Sequence, residues 1–339
     1  MRYFLVLLAT CSLVPSAYAY DRTKLLESFF SSVMVRGYKF DGGLAYGSGV
    51  VVGENKVLTN CHTFRDTEKV WVSRGEDSYK IVSVQANRWH DLCLLKTEDM
   101  NVDPVPIGSA DTLKKGDEVV SIGHSSGVPT PLTSNGTVKS LFEMDKGNVI
   151  RTTAKFALGA SGSGLFDNEG RLVGINTFKT GGRDAYFYVL PIEWLAELET
   201  REVETRFPIK GDAFWEGIVP DTMPYFLQIA KPQLTEDWVE LGKVATRWIK
   251  AEPDNSDAWF ELGLANEKLG KNVEAEKAYR KSVELDAGNT DSLFRIGVMA
   301  SAKGDIQEAY AISMTLSNIN KNIATEYRKA LNARQAVDF

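Results

Sequence analysis

A stretch rich in glycine and serine, ALGASGSGLFD at residues 157–167, carries two hydroxyl side chains, Ser161 and Ser163. Such a stretch can be a flexible turn between strands, a phosphate-binding loop, or a loop that presents a nucleophile. A phosphate-binding loop of the GxxxxGKS or GxxxxGKT type has a lysine and a hydroxyl residue directly after its last glycine. Here Leu-Phe-Asp follows the last glycine. A turn and a nucleophile loop therefore remain as the two interpretations.

A serine hydroxyl becomes a nucleophile when a histidine accepts its proton and a carboxylate orients that histidine. The chain has three histidines, His62, His90 and His124. His62 ends the segment GSGVVVGENKVLTNCH, which is typical of two strands and a turn, and Asp91 opens DLCLLK, which is typical of a buried strand. An aspartate at the mouth of a buried strand is costly without a partner for its charge, and an imidazole N–H suits it. The order His62, Asp91, Ser161 places each candidate at a strand end.

Short apolar segments typical of β-strands recur from about residue 31 to residue 190 and would carry these three side chains. Turn signals separate the segments, at Gly42-Gly43, Glu54-Asn55, Asn135-Gly136, residues 168–170 and Gly181-Gly182. Many short strands at nearly regular spacing predict an antiparallel sandwich or barrel. A short amphipathic helix is expected over residues 21–30, and Pro191 predicts the start of another over residues 192–200.

The apolar period becomes helical beyond about residue 222, and an internal repeat of 34 residues appears. A shift of that length superposes small and capping residues, among them Asn255 on Asn289, Gly263 on Gly297, Gly270 on Gly304 and Ala275 on Ala309. The repeat length and the opening pattern W-x-x-L-G at 259–263 match the tetratricopeptide repeat. We predict an all-α tetratricopeptide-repeat domain over residues 222–339, with clear repeats at 256–289 and 290–323. We expect a divergent earlier copy of the repeat at 222–253 and a closing helix at 323–336. A linker is expected at 201–221.

The first nineteen residues have the pattern of a secretory signal peptide. An early Arg2, an apolar run over residues 4–14 and the small-x-small site at residues 17–19 predict cleavage after Ala19. The run is shorter than the roughly 18 apolar residues of a membrane-spanning helix. A lipoprotein site at Cys11 is the alternative. We expect an exported protein that is periplasmic or secreted.

Composition argues against several kinds of partner. The chain of 339 residues has a net charge of −6 and a pI near 5.4, whereas nucleic-acid binding requires a basic face. Downstream of the signal peptide, no window is long and apolar enough to span a membrane. We expect no nucleic-acid partner, no membrane span and no cofactor, and the length suits two domains.

Three ordered motifs resemble those of chymotrypsin-fold serine proteases, and most closely those of the HtrA/DegP-type bacterial branch. GSG at 47–49 with LTNCH at 58–62 resembles the histidine motif, DLCLLK at 91–96 the aspartate strand, and GASGS at 159–163 the serine loop. SIGH at 121–124 and VGINT at 173–177 resemble two further elements. The resemblance covers residues 31–192. It implies a trypsin-like double β-barrel over residues 20–200 and serine endopeptidase activity on polypeptide substrates.

The resemblance also implies a role for each candidate residue. Ser161 would attack the scissile carbonyl, His62 would accept and return the proton, and Asp91 would hold the imidazole in its working tautomer. The backbone N–H groups of Gly159 and Ser161 would form the oxyanion hole, which requires backbone angles that glycine permits. Ser161, with glycine two residues before and one after it, fits the family pattern better than Ser163.

One departure from the family pattern concerns substrate preference. Lys155 stands where trypsin-like members carry an acidic residue for basic side chains, so cleavage after Lys or Arg is not expected. Phe156, Phe178 and Phe187 would make a specificity pocket apolar or partly filled, although roles in the strand core suit them equally well.

The two cysteines downstream of the signal peptide fit the same resemblance. Cys61 precedes the base and Cys93 lies two residues past the aspartate, so we expect a Cys61–Cys93 disulfide in an exported protein. Two reduced thiols or a metal site are the alternatives, and adjacent strand residues point to opposite faces, which disfavours a metal. We expect His90 at a surface turn and His124 in a loop that borders the substrate cleft.

Three functional interpretations remain. The first is an exported serine endopeptidase whose helical domain recruits substrates or assembles subunits. The second is a gated or silent protease fold that acts as a binding or chaperone-like module, with loops at 145–147 and 179–184 as the gates. The third makes the repeats the functional part, because such arrays offer a groove for an extended peptide or a partner helix. The array could instead pack on the β-domain and cap it.

Overall fold

The computed structural model of the chain describes residues 22–180, 186–216 and 223–335. The predicted signal peptide at 1–19 and the predicted turn at Gly181-Gly182 lie outside these ranges. Helix α1 (Arg22–Phe30) precedes two antiparallel β-barrels, and a helical array follows them. The predicted fold class, an all-β double barrel followed by an all-α domain, is confirmed. Among the described helices, none is long and apolar enough to cross a membrane.

The first barrel contains six strands, namely β1 (Ser32–Lys39), β2 (Leu44–Gly53), β3 (Lys56–Asn60), β4 (Thr67–Arg74), β5 (Asp77–Asn87) and β6 (Leu92–Thr97). Their order is β5-β4-β1-β2-β3-β6, and pairing of β5 with β6 closes the barrel. Valine, with some isoleucine, dominates its interior, and these β-branched side chains suit a pleated and half-buried surface. The pairing of β3 with β6 brings the ends of two distant segments together.

The second barrel also has six strands, namely β7 (Glu118–Gly123), β8 (Leu132–Met144), β9 (Gly147–Thr152), β10 (Ser163–Phe166), β11 (Leu172–Lys179) and β12 (Phe187–Pro191). Its closed order is β10-β11-β12-β9-β8-β7. The short helix α2 (Trp194–Leu198) follows β12. Strand β10 starts directly after the serine loop, so the second barrel presents that loop at its edge.

The predicted turn at Asn135-Gly136 is wrong, because both residues lie inside strand β8. They pair with Val120 and Val119 of β7. A Cβ at Gly136 would lie 2.1 Å from the backbone nitrogen of Ala154. The glycine therefore serves the close approach of two backbones, and strand pairing overrides a dipeptide that is typical of hairpin turns.

The helical array consists of α3 (Tyr225–Gln228), α4 (Ala230–Leu234), α5 (Trp238–Ala251), α6 (Ser256–Lys268), α7 (Asn272–Leu285), α8 (Thr290–Ala302), α9 (Ile306–Ile319) and α10 (Lys321–Gln335). A Cβ at Gly263 would lie 2.6 Å from the Tyr279 ring, and one at Gly297 2.2 Å from the Tyr327 hydroxyl. The glycine repeated after 34 residues therefore makes room for a tyrosine of a following helix. This explains the period seen in the sequence.

The array packs on the second barrel through a shared apolar core. Phe142 of β8 stacks on Phe226 of α3 with ring centroids 4.4 Å apart. The Tyr188 hydroxyl of β12 donates to the Phe226 carbonyl at 3.2 Å, and Trp248 of α5 belongs to the same cluster. The two domains are therefore joined by buried side chains, as in the capping arrangement considered above.

Opposite charges reinforce this contact. Lys115 of the barrel lies 3.1 Å from Asp257 and 3.0 Å from Asp286 of the array. Lys139 lies 2.9 Å from Asp291, and the buried Arg151 lies 3.8 Å from the buried Glu261. Basic side chains of the barrel thus meet acidic side chains on α6, on α8 and at the C-terminal end of α7. The chain's own barrel covers this face of the array.

We expect the buried Glu261 to make stability depend on pH. Burial raises the pKa of Glu261 to about 7 from its ordinary value of 4.5, and attraction to Arg151 opposes this only in part. Between these values the folded chain holds a proton that the unfolded chain has released, so the free energy of unfolding falls as pH rises. The free energy of unfolding, measured with denaturant, should fall between about pH 5 and about pH 8. We expect this fall to be smaller by about 2 kcal/mol in Glu261→Gln than in the wild type.

Glu274→Gln, at an exposed carboxylate of α7, is the matched control and should retain the wild-type pH dependence. If Glu261→Gln showed the same pH dependence as the wild type, the buried carboxyl would not titrate in this range and the prediction would be wrong.

The segment predicted as a linker packs against both barrels over its described residues, 201–216. Its strand β13 (Val203–Glu204) pairs with β5. The rings of Phe207 and Phe64 pack with their centroids 5.4 Å apart, and Ile209 is buried in the core of the first barrel. Phe214 is buried and contacts Trp194 of α2 at 6.2 Å. The segment therefore adds to the core of the double barrel.

Candidate active site

The pairing of β3 with β6 brings His62 and Asp91 together. The strands are antiparallel with Asn60 opposite Leu92, so the turn after β3 meets the turn before β6. His62 lies in the 3-10 turn Cys61–Phe64 that follows β3. Its Nδ1 donates to Asp91 Oδ2 at 2.6 Å, and its backbone N–H donates to Asp91 Oδ1 at 2.8 Å. The structure thus joins two of the three candidate residues.

Asp91 is completely buried, and His62 supplies a hydrogen bond to each of its carboxylate oxygens. The Asp91 backbone oxygen accepts from the Cys61 N–H at 3.2 Å and from Asn60 Nδ2 at 3.0 Å. Its φ of +55° lies in the left-handed region, which aspartate tolerates better than most side chains. A carboxylate held in this way selects the imidazole tautomer whose Nε2 can accept a proton.

Ser161 lies in the loop before β10, between Gly159 and Gly162, whose φ values are +92° and +87°. A Cβ at Gly162 would lie 2.2 Å from the Ser48 carbonyl oxygen, and one at Gly159 2.7 Å from the Tyr46 ring. The Ser161 carbonyl accepts from the Ser48 N–H at 2.8 Å. The loop of the second barrel is therefore tied to β2 of the first, and the serine lies at the junction of the barrels.

The backbone amides of Gly159 and Ser161 have no acceptor among the described residues, and the same is true of Leu158 in this loop. The next two amides are engaged: the Gly162 N–H donates to the Asn176 carbonyl and the Ser163 N–H to the Ala160 carbonyl, both at 2.9 Å. Free N–H groups beside a serine hydroxyl are the donors that a developing oxyanion requires.

Ser163, the other hydroxyl of the loop, is completely buried in β10. Its Oγ accepts from Asn176 Nδ2 at 2.9 Å, and the same amide donates to Ser121 Oγ at 2.9 Å. A hydroxyl inside this network has no access to a substrate. The arrangement favours Ser161 as the nucleophile.

Two residues that sequence reasoning did not single out connect the acid to the serine. Asn60 Nδ2 donates to the Asp91 carbonyl and to Thr177 Oγ1, each at 3.0 Å. The Ser161 hydroxyl donates to the Thr177 carbonyl oxygen at 3.3 Å. Asn60 lies in the motif LTNCH and Thr177 in the motif VGINT. These two motifs were the sequence signal by which both residues could have been found. In this arrangement the serine proton is directed to Thr177 and not to His62.

Cys61 and Cys93 form a disulfide, and their Cα atoms lie 5.0 Å apart. The bridge joins the end of β3 to β6, directly beside the residues that carry the imidazole and the carboxylate. Within the described ranges, no group of three or more His, Cys, Asp and Glu side chains could hold a metal ion.

Replacing both cysteines by alanine should lower the free energy of unfolding by about 3–4 kcal/mol. The bridge closes a loop with a sequence separation of 32, and a cross-link over that length removes chain entropy of this order from the unfolded state. Urea unfolding of the oxidised wild type, the reduced wild type and the Cys61→Ala/Cys93→Ala variant measures the effect. Equal midpoints for all three proteins would contradict it.

The three residues predicted for a specificity pocket do not converge. Lys155 is exposed. Phe156 packs edge-to-face on Phe187 at 5.1 Å, whereas Phe178 stacks on Tyr188 at 4.8 Å. The two phenylalanines belong to different buried clusters. Phe178 lies in β11 and has the strand-core role that the sequence left open, whereas Phe156 lies outside the strands and packs with Ala160 of the serine loop.

The expectation that His90 lies at the surface is wrong. It occupies a turn but is only 3% exposed, and its ring stacks on Trp194 at 3.7 Å. Its Nδ1 accepts from Asn87 Nδ2 and its Nε2 donates to Asp145 Oδ2, both at 2.9 Å. The turn that carries Asp91 therefore packs against α2 and the β8–β9 hairpin, a contact that local sequence does not encode.

His124 is buried next to the serine loop. Its Nδ1 donates to the Val128 carbonyl at 2.9 Å, and its backbone N–H donates to Ser48 Oγ at 2.9 Å. Ser48 Oγ in turn donates to the Gly159 carbonyl at 2.8 Å. Burial lowers the pKa of His124, which favours the neutral form of its ring.

Comparison with known proteins identifies two families in the chain. Residues 47–175 match the trypsin-like peptidase domain family, and residues 256–289 match the tetratricopeptide repeat family. A probable periplasmic serine endoprotease, DegP-like, from Buchnera aphidicola subsp. Schizaphis graminum is 30% identical over 302 residues, which are 82% of this chain and 60% of the relative. The anti-sigma-I factor RsgI9 of Acetivibrio thermocellus is 29% identical over 157 residues, which are 45% of this chain and 22% of the relative.

A solved structure of a protease from M. tuberculosis, in its active form, is similar in fold. It is 19% identical with a TM-score of 0.50, and the match covers 62% of this chain and 99% of that chain. This chain spans between 22% and 60% of the length of the first curated relatives it matches. The chain thus carries a trypsin-like peptidase domain of the DegP/HtrA type, followed by a tetratricopeptide-repeat region.

Proposed function

We propose that the protein is an exported serine endopeptidase that hydrolyses peptide bonds through His62, Asp91 and Ser161. The observation that carries the proposal is the hydrogen bond of 2.6 Å between the His62 imidazole and the completely buried Asp91 carboxylate. The names of two relatives, each a probable periplasmic serine endoprotease, support it. Export rests on the sequence pattern at 1–19, and we expect the mature chain to begin at Tyr20.

The reaction would follow from the geometry of the site. Ser161 Oγ attacks the carbonyl carbon of the substrate while His62 Nε2 accepts the hydroxyl proton, and Asp91 stabilises the resulting imidazolium. The Gly159 and Ser161 N–H groups donate to the oxyanion of the tetrahedral intermediate. His62 then gives the proton to the leaving amine, and water repeats the sequence on the acyl-enzyme. For the first step the Ser161 hydroxyl must leave the Thr177 carbonyl and turn towards His62.

The second candidate is a gated or silent site in which the fold acts as a binding module. The Ser161–Thr177 hydrogen bond favours this candidate, because it directs the serine proton away from the base. In a gated enzyme, binding of a polypeptide would redirect the hydroxyl. In a silent module, the fold would bind its partner without chemistry.

Labelling with a fluorophosphonate, which reacts with activated serines, tests the proposal. We expect label on the wild type and on Ser163→Ala, and none on Ser161→Ala. Label that persists in Ser161→Ala would refute the assignment. Label on the wild type only after addition of an unfolded protein would indicate a gated enzyme. If the wild type took no label under either condition, the silent binding module would be the remaining interpretation.

We also propose that the helical array recruits polypeptide segments. The barrel covers the charged face of α6 and α8, but a cleft of about 1390 Å³ remains between the array and the β8–β9 hairpin. Aromatic and acidic residues line it, among them Tyr225, Trp248, Glu143, Glu252 and Asp254. An apolar floor with excess carboxylates suits a basic segment that also carries aromatic side chains.

Fluorescence anisotropy with a labelled peptide of alternating lysine and phenylalanine tests this recruitment. The Glu143→Gln/Asp254→Asn variant should bind the peptide more weakly than the wild type. Glu274→Gln, an exposed carboxylate outside the cleft lining, should bind it as the wild type does. Equal affinity in all three proteins would place recruitment elsewhere.

A further inference from the structure

The segment between the second barrel and the array contacts the imidazole of His62. Trp215 lies in the 3-10 turn Phe214–Glu216. Its indole meets the His62 ring edge-to-face, with centroids 5.6 Å apart and an interplanar angle of 84°. It also stacks on Phe178 of β11 at 4.9 Å and 14°. The indole is therefore held between the candidate base and the second barrel.

Glu216 ties this turn to the turn that carries His62. Its carboxylate accepts from both terminal nitrogens of Arg65 and from the Ala213 N–H, the latter at 3.0 Å. Burial disfavours the charged form of Glu216, but the hydrogen bonds from Arg65 and the Ala213 N–H together with the charge of Arg65 outweigh burial, so the pKa of Glu216 lies below its ordinary value. The ion pair therefore persists at neutral pH and fixes the turn beside the base.

The residue before Trp215 is anchored as firmly. Phe214 is 1% exposed, and its N–H donates to the Trp89 carbonyl at 3.1 Å. Its ring also contacts Phe178 at 6.3 Å. The backbone on both sides of Trp215 is thus held by contacts to the two barrels.

The Trp215 side chain makes ring contacts with His62 and Phe178. Its Nε1–H is buried and has no acceptor among the described residues, which costs free energy. Ring packing beside His62 and Phe178 must outweigh that cost. The indole therefore packs on the His62 ring although its buried N–H lacks an acceptor, which favours a role of this contact in orienting the imidazole.

We propose that Trp215 is a positioning residue for His62. Asp91 holds Nδ1 through one hydrogen bond, which leaves the imidazole plane free to tilt about that bond. The indole packs against the ring and restricts this tilt, so Nε2 would be held in one orientation when the Ser161 hydroxyl turns towards it. The inference rests on the proposed peptidase function. Because the same segment leads into the helical array, the geometry of the base depends on how this segment is docked.

Kinetics of the full-length protein test the inference. The measurements are the rate of fluorophosphonate labelling, and kcat and KM for a peptide substrate, on the wild type, Trp215→Phe and Trp215→Ala. Phenylalanine keeps a stacked ring and removes only the unpaired N–H, so we expect its kcat within about twofold of the wild type. Alanine frees the imidazole, and we expect kcat and the labelling rate to fall by about tenfold or more, with KM nearly unchanged.

Trp71→Ala is the matched control for loss of an indole, because Trp71 contacts Tyr38 at 5.2 Å on the first barrel and should leave kcat unchanged. If Trp215→Ala does not fold in a thermal unfolding assay, Glu216→Gln loosens the same turn and should lower kcat in the same way. Equal or higher kcat in folded Trp215→Ala would overturn the inference and leave the peptidase intact. A wild type that neither labels nor cleaves would instead refute the proposed function.

Discussion

Replacing Asp91 by asparagine should lower kcat for peptide hydrolysis by about ten-thousand-fold without unfolding the protein. Asparagine keeps the size of the side chain and tolerates the φ of +55° found at this position. Its amide, however, offers only one acceptor oxygen where His62 supplies two N–H donors, at 2.6 Å and 2.8 Å. An amide N–H facing Nδ1 selects the tautomer that carries its proton on Nε2, which cannot accept the serine proton.

The control for this variant is Asp99→Asn. Asp99 is an exposed aspartate of the same barrel, also in the left-handed region with a φ of +50°. It should retain wild-type kcat, and both variants should retain the wild-type thermal midpoint within a few degrees. If Asp91→Asn lost less than about tenfold in kcat, the carboxylate would have a structural role only and the proposed triad would fail.

The second large effect is expected at the contact between the barrel and the array. Lys115 is mostly buried and pairs with Asp257 at 3.1 Å and Asp286 at 3.0 Å. Burial opposes its charge, but the two carboxylates outweigh burial and raise the pKa of Lys115. Methionine keeps the aliphatic length and leaves the buried Asp257 without its cation. We expect Lys115→Met to lose about 3–5 kcal/mol of unfolding free energy.

Urea unfolding of the full chain measures this loss. Lys114→Met, at the exposed neighbouring lysine, is the matched control and should cost less than about 1 kcal/mol. The triple variant Lys115→Met/Asp257→Asn/Asp286→Asn removes the stranded charges and should recover part of the loss. If Lys115→Met and Lys114→Met had the same midpoint, these salt bridges would not hold the array on the barrel.

Local patterns were sufficient to locate the elements of the candidate site. The apolar runs that end at Asn60 and begin at Leu92 mark two strands, and the glycines around Ser161 mark a loop with unusual backbone angles. The 34-residue period located the helical pairs because Gly263 and Gly297 each face a tyrosine, whereas Gly270 and Gly304 occupy left-handed positions where the chain turns between helices. Each of these signals arises within one element or between neighbouring ones.

Local patterns failed where a distant contact decides the environment of a residue. Asn135-Gly136 is typical of a turn, yet the approach of the Ala154 backbone requires the glycine inside a strand. His90 is polar and lies in a turn, yet Trp194 stacks on it and Asp145 accepts from it, so it is buried. In both cases a partner from another segment overrides a local preference.

The sequence by itself determined the strands, the loop glycines, the helical repeat and the residues that could act as acid, base and nucleophile, since these follow from short-range pattern. Only the tertiary structure decided how these parts meet. The Asn60–Thr177 link spans 117 positions and the Lys115–Asp257 pair 142 positions, and Trp215 reaches His62 from the segment that follows the second barrel. Such contacts form because the whole chain buries apolar surface and pairs its buried charges, and no local propensity records them.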